Sequence, residues 1–301
     1  MRADIRATKI KREKRVRRVQ ITLRLLGAAL ALTVLVSFVH EHNFFAGNAS
    51  GKGTVSSYAE NPYAGLTPPK VYEGKAVKDR IRELVDEDKG YRAIYDQYDR
   101  YPKRLLAALC SNSELLPFVQ GYLDADGSAH GTLTGQELEA ELPLFLQWDE
   151  RWGYAAYGDS NIALSGCAPT CVSMVAVALT GDENASPDKV AAYAASAGYY
   201  LSGSGTSWSF MTEGSRHFGI KGEELCLDEY VIKNKLDAGH PIICSMKPGD
   251  FTTAGHFIVL AGVRDGKFIV RDPNSRRRSE VLWTYERLSS QIKNLWVFSE
   301  A

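Results

Sequence analysis

The sequence predicts an α+β protein. Two observations carry this. Apolar residues at helical spacing dominate from about residue 77 to 239, and short β-branched and aromatic runs separated by turn residues follow from 241 onward. Helices first and strands second give two unequal layers around an antiparallel sheet, and the βαβ alternation that builds a parallel sheet is not visible.

The chain of 301 residues is formally neutral, yet the charge is unevenly spread. Residues 1 to 24 carry ten Lys and Arg against two acidic residues, so the rest is acidic by eight charges. An acidic body argues against a nucleic-acid partner, which needs clustered basic surface. The basic tail, 1–20, runs into Ile21 to Val39, nineteen residues whose one charge is Arg24, near the end. That length roughly spans a bilayer core. The flanking Lys9, Lys11, Arg12, Lys14, Arg15, Arg17 and Arg18 favour the cytoplasm. The expectation is a single-pass membrane anchor at 21–39, N-terminus cytoplasmic, with the remainder extracytoplasmic in the cell membrane. The rival is a cleaved signal peptide, but H-E-H-N-F-F-A-G-N-A-S offers no clear small-x-small site.

Residues 40–74, rich in Gly, Ser, Asn and Pro, read as a linker. A helical extension follows at 75–140. Ile81, Leu84 and Val85, then Tyr91, Ile94, Tyr95 and Tyr98, then Leu105, Leu106 and Leu109 repeat at helical spacing. Ser111 and Glu114 form a capping-box pattern ahead of Leu115 to Leu123. The tyrosines read as core of a small lobe, with lining of a substrate groove as the sharper alternative.

The main domain is expected at 141–301. Ser186-Pro187 opens a helix that runs to Ala197 and stops at Gly198. S-G-S-G-T-S at 202–207 reads as a flexible loop, Trp208 to Phe218 as a helix, and Asp228 as the cap of a helix that ends at Gly239. Strands are expected at Pro241–Met246, His256–Val263, Lys267–Arg271 and Leu295–Phe298.

Within this domain, G-C-A-P-T-C-V-S-M-V-A-V-A-L-T-G at Gly166 to Gly181 concentrates the signals for a reactive cysteine. Pro169 suits a first helical turn, an apolar run follows, and Gly181 suits a C-terminal stop. Cys167 therefore stands at a helix start, where unpaired amides and the helix dipole favour a thiolate. All five cysteines (Cys110, Cys167, Cys171, Cys226, Cys244) follow the apolar segment, and an odd number leaves at least one free thiol.

A cysteine nucleophile needs a base and a group that orients it. Of six histidines, His256 alone opens a strand, emerging from a glycine turn in A-G-H-F-I-V-L. Asp272 ends the next strand. A three-residue loop at Arg264-Asp265-Gly266, with Gly266 in a left-handed bulge, pairs Val263 with Lys267, sets His256 opposite Asn274 and makes Asp272 its diagonal neighbour. A plain two-residue turn would send Asp272 to the other face. Gln147, twenty residues before Cys167, offers a side-chain amide for an oxyanion.

Four blocks then match a known pattern: L-P-L-F-L-Q-W-D-E-R-W-G-Y, Y-G-D-S-N-I-A-L-S-G-C-A-P-T-C, P-G-D-F-T-T-A-G-H-F-I-V-L and R-D-P-N-S. Residues 141–301 resemble the C39-like cysteine peptidases, papain-fold relatives of the domains that trim bacteriocin leader peptides. The stretch from about Pro102 to Tyr122 resembles the extension often found before such domains. The resemblance implies a papain-like fold, with a helical lobe carrying the cysteine and an antiparallel sheet carrying the histidine and aspartate. It also implies Cys167 as nucleophile, His256 as base and acid, Asp272 as its orienting group and Gln147 as oxyanion donor, with a peptide or protein substrate. No cofactor or metal is implied. Two positions depart from the pattern: Ala168 stands where the family usually has glycine, and Arg271 where Asn or a neutral residue is commoner.

Three other readings stay open: hydrolysis of cell-wall peptide cross-links, a weak peptide-binding module on the same fold, and a thiol–disulfide role for Cys167 and Cys171. The last has three intervening residues instead of the usual two. Zinc held by Cys167, Cys171 and His256 lacks a fourth ligand. Arg276 to Arg278 read as a solvated turn that can also attract acidic substrate groups, and Trp148, Trp152 and Trp208 as core or cleft walls.

Overall fold

The structure, a computed structural model, describes residues 61–301. The basic tail, the apolar segment 21–39 and the first part of the linker lie outside the described residues. Among the described residues, no helix is long and apolar enough to cross a membrane.

The chain enters through a turn at 62–65 and an extended stretch, and Lys70 donates its amide to Ser111 Oγ at 3.0 Å. Helix α1 (Lys75–Glu87) follows and buries Val77, Ile81, Leu84 and Val85 at helical spacing. Short turns lead to α2 (Lys103–Ser111) and α3 (Leu116–Gly121). Tyr91, Ile94, Tyr98, Tyr101, Leu105, Leu106 and Leu109 form one core with α1. Each of the aliphatic residues, fully buried, contributes about 1.5–3 kcal/mol. Tyr91 and Tyr98 of the tyrosine stripe are therefore core, with Tyr95 packed against it. Leu146, Trp148 and Ala163 belong to the same cluster, and Phe118 stacks on Tyr154 at 4.3 Å, so the extension is packed onto the segment that leads to the cysteine.

One local expectation fails here. Ser111 and Glu114 do not form a capping box. Asn112 caps instead, accepting from the Glu114 amide at 3.1 Å, while the Glu114 carboxylate turns to a distant loop. A capping box does form at Thr134 and Glu137.

The larger part is a six-stranded antiparallel sheet with helices on both faces. Helix α4 (Cys167–Thr180) and α5 (Pro187–Ser196) precede β1 (Ile220–Glu224), and α6 (Glu229–Asp237) leads to β2 (Ile242–Met246). Then come β3 (His256–Arg264), β4 (Lys267–Arg271), α7 (Arg276–Glu280), β5 (Leu282–Trp283) and β6 (Ile292–Glu300). The strand order is β1-β6-β2-β3-β4-β5, every neighbouring pair antiparallel.

The period-2 alternation sorts side chains between two cores. Ile243, Phe257, Val259, Trp296 and Phe298 pack with Cys171, Val172 and Val175 of α4. Ile242, Cys244, Ile258, Leu260, Leu295 and Val297 pack with Ile232 and Leu236 of α6 on the other face. Burial on both faces explains why β2 and β3 read as continuous apolar runs.

Helices α5 and α6 lie where the sequence predicted, α6 capped by the Asp228 side chain and α5 with no side-chain hydrogen bond from Ser186, and Gly198 and Gly239 take left-handed conformations just beyond them (φ 81° and 83°). The expected helix over Trp208–Phe218 is two pieces, Ser209–Thr212 and a 3-10 turn at Gly214–Phe218. Gly214 marks the break, where an added Cβ would lie 2.3 Å from Phe210 and 2.8 Å from Tyr199. The 202–207 stretch turns between two short strands, Tyr200–Leu201 and Gly205–Thr206.

Candidate active site

Cys167 is the first residue of α4, half-buried at the edge of the core. The helix begins there for local reasons. Gly166 ends the short helix Ile162–Ser165 so closely that an added Cβ would lie 2.6 Å from the Ile162 carbonyl oxygen. Pro169 sits in the first turn, whose amides have no intrahelical partner in any case. Gly181 closes the helix in a left-handed conformation, φ 68°. Almost every other position of α4 is buried, as in a core helix. Only its first residue reaches the cleft.

His256 and Asp272 come together through strand register, and here the sequence reading needs correction. The loop between β3 and β4 is not a three-residue loop with a bulge. Arg264 pairs directly with Lys267, and Asp265 and Gly266 both have positive φ (53° and 73°), the signature of a two-residue type I′ turn. That register alone would put Asp272 on the wrong face. A bulge at Ala261 restores it: pairing shifts between Leu260 and Gly262, so that Leu260 faces Val270 and Val259 faces Arg271. The register at the sheet end is therefore the one expected from the sequence, reached by another device. His256 Nε2 and Asp272 Oδ1 lie 2.7 Å apart, both residues buried.

Asp272 is fully buried, and its carboxylate has three hydrogen-bonding partners. Its Oδ1 also accepts from the Asn274 amide at 2.8 Å, its Oδ2 accepts from the Arg278 guanidinium at 3.1 Å, and its own amide donates to Ser279 Oγ at 2.9 Å. Burial alone would raise the carboxyl pKa. The charge and hydrogen bond of His256, the Arg278 charge and the Asn274 amide outweigh burial and hold it below the ordinary range. For His256, burial would disfavour the imidazolium. The Asp272 charge, the hydrogen bond to it and a hydrogen bond with the Cys167 thiol win, and the pKa rises to about 9. With Nε2 taken by Asp272, Nδ1 is the nitrogen left for the sulfur.

Arg278 was hidden in a run that reads as solvated. The structure makes Arg276–Glu280 a short helix capped by Ser275, with Arg278 turned inward and buried. A buried carboxylate six residues earlier, before the helix begins, is the partner that a sequence alone does not reveal.

Gln147 is buried on the same cleft as Cys167 and His256, a space of about 330 Å³. Its Nε2 donates to the Ala163 carbonyl at 2.6 Å, which leaves one amide hydrogen free to point elsewhere, and its Oε1 is buried with no partner. Its backbone amide donates to Pro273 O at 2.7 Å, tying it to the Asp272 loop. Pro69, Lys70, Val71 and Tyr72 from the entering stretch, and Ala107 and Ala108 of α2, form another wall of this cleft.

The tryptophans serve elsewhere. Trp152 is core, Trp208 packs edge-to-face against Trp296, and Trp148 donates its indole N–H to Asn274 O at 3.1 Å. Of the two departures, Ala168 buries its methyl in the core, and Arg271 donates to Leu142 O at 3.3 Å. Cys171 is fully buried, and burial pushes its thiol far up, an inert setting. All five cysteines are free, and among the described residues no cluster of three or more His, Cys, Asp or Glu is placed to hold a metal ion.

A mixed α/β fold with an antiparallel sheet, and a cysteine at a helix start facing a histidine on that sheet, is consistent with a peptidase domain of the C39 kind. The sequence pattern of the Peptidase_C39 like family matches residues 139–299, more than half of the chain, and the chain belongs to that family. Membership makes it a relative of peptidases, with a peptide as the substrate class. Among solved structures, it is similar to the peptidase domain of Streptococcus ComA, a bi-functional ABC transporter involved in a quorum sensing pathway. The identity is 18%, the match covers 46% of this chain and 93% of that one, and the TM-score is 0.36. No curated protein sequence matches the chain.

Proposed function

We propose that the protein is a cysteine peptidase with a papain-like division of labour, a helical lobe supplying Cys167 and a sheet supplying His256 and Asp272. The observation that carries this is one buried imidazole 2.7 Å from a buried carboxylate, on the same cleft that Cys167 enters, and the raised His256 pKa of about 9 supports it. An imidazolium beside a sulfur stabilises a thiolate, the reactive form.

In the proposed sequence, the Cys167 sulfur attacks a peptide carbonyl carbon, forming a C–S bond as the carbonyl π electrons move to oxygen. The free amide hydrogen of Gln147 and the Cys167 backbone N–H hold that oxyanion. His256 gives its proton to the leaving nitrogen as the C–N bond breaks. Neutral His256 then takes a proton from water, whose oxygen displaces the sulfur and regenerates the pair. Asp272 fixes the ring tautomer and stays ionised throughout, as its low pKa requires.

The proposed placement is extracytoplasmic, the working unit 141–301 held at the membrane by residues 21–39 through the linker. Sequence supports this through the apolar run and its basic flank. The test of the chemistry uses an electrophilic peptide probe on the full chain. Cys167→Ala is expected to abolish labelling and Cys171→Ala to retain it. Equal labelling of the two variants would remove Cys167 from the nucleophile role.

A further inference from the structure

The loop that carries Asp272 is gripped from outside the family's own domain, whose match begins at residue 139. Asn112 Nδ2 donates to the Asn274 carbonyl at 2.7 Å, and its Oδ1 accepts from the Glu114 amide at 3.1 Å, so the Asn112 side chain is fixed at both ends. Glu114 Oε1 accepts from Ser275 Oγ at 2.5 Å, and Oε2 accepts from the Arg276 amide at 2.8 Å. Ser275 and Arg276 begin the short helix whose Arg278 returns to Asp272. The connection runs from Glu114 through the helix start to Arg278, then to Asp272 and His256.

We propose that the helical extension completes the active site, with Asn112 and Glu114 acting as positioning residues for Asp272. The proposal rests on the cysteine-peptidase reading above. Its physical reason is that a short polar loop, D-P-N-S, has little apolar area with which to fix itself. Misplacing a catalytic group by about 1 Å costs roughly 100-fold in rate. The loop needs an external brace, and the main domain supplies only part of it, through the Gln147 amide and the Trp148 indole. Two acceptors on one carboxylate and one anchored amide supply the rest.

This makes a claim a merely structural contact would not. If Asn112 and Glu114 hold Asp272 against the ring, removing them weakens the interaction that raises the His256 pKa. The test uses the full chain, ring-nitrogen NMR of labelled histidine across pH, and iodoacetamide alkylation of Cys167 quantified on its own peptide by mass spectrometry. Wild type is expected to titrate His256 near 9. In Asn112→Ala/Glu114→Gln the midpoint falls towards the ordinary histidine value, and Cys167 alkylation at neutral pH slows roughly 10- to 100-fold. Glu114→Gln alone keeps the shape and the acceptor for Ser275, and is expected to shift the same way by less; it serves if the double variant does not fold. A lowered melting temperature with an unmoved His256 midpoint and alkylation rate would reduce the contact to a brace and overturn the inference. Failure of the underlying peptidase reading has a different signature: wild type itself would titrate His256 at an ordinary value and alkylate Cys167 no faster than a free thiol.

Discussion

The helix that begins at Cys167 and the loop that carries Asp272 meet at one imidazole, but they are fixed by different ranges of the chain. The helix takes its start from Gly166 and Pro169 and its stop from Gly181, all within the sixteen residues 166–181. The loop takes its shape from Asn112, Glu114 and Trp148, which lie 126 to 162 positions away. A cysteine in the proposed nucleophile role needs a rigid perch at a helix start, which a core helix supplies by itself. A buried carboxylate needs compensating donors, and a short loop must borrow them.

The two regions should therefore break differently. The largest stability effect is expected at the loop. Arg278→Ala leaves the Asp272 charge buried with one partner fewer and should cost about 3–5 kcal/mol, read from the shift in denaturant midpoint. A loss below about 0.5 kcal/mol would show that water replaces the guanidinium freely and that the loop is not held as described. A smaller effect is expected at the helix. Gly166→Ala places a methyl 2.6 Å from both the Ile162 carbonyl oxygen and its γ2 carbon, so the local backbone must shift, at about 1–3 kcal/mol. A neutral Gly166→Ala variant would mean that the start of α4 is set by something other than this close approach.

The same contrast explains what could be read in advance. Cys167 at a helix start, the stop at Gly181, and His256 at a strand opening depend on neighbours a few residues away, and those signals are in the sequence. The His256–Asp272 register was legible only as a requirement of chemistry. Its device was not, because the bulge at Ala261 lies inside a continuous apolar run with no turn signal to mark it. Glu114 matched a local capping pattern, yet its carboxylate is taken by a loop 161 positions on. Arg278 sat in a basic run that reads as solvent-facing until its partner is known. Strand β1, I-K-G-E-E, escaped because an edge strand with one buried face and charged residues carries little apolar signal. The break at Gly214 likewise answers to Phe210 and Tyr199, not to helix propensity.

The measurement that tests the central claim most directly is cleavage of a peptide library by the full chain across pH, wild type against Cys167→Ala. Wild type is expected to cleave, with activity falling as pH rises through about 9, because His256 then loses the proton it must give to the leaving nitrogen. Cys167→Ala is expected to cleave nothing. Cleavage by the alanine variant at the wild-type rate, or no cleavage by a folded wild-type chain over any of that range, would contradict the account.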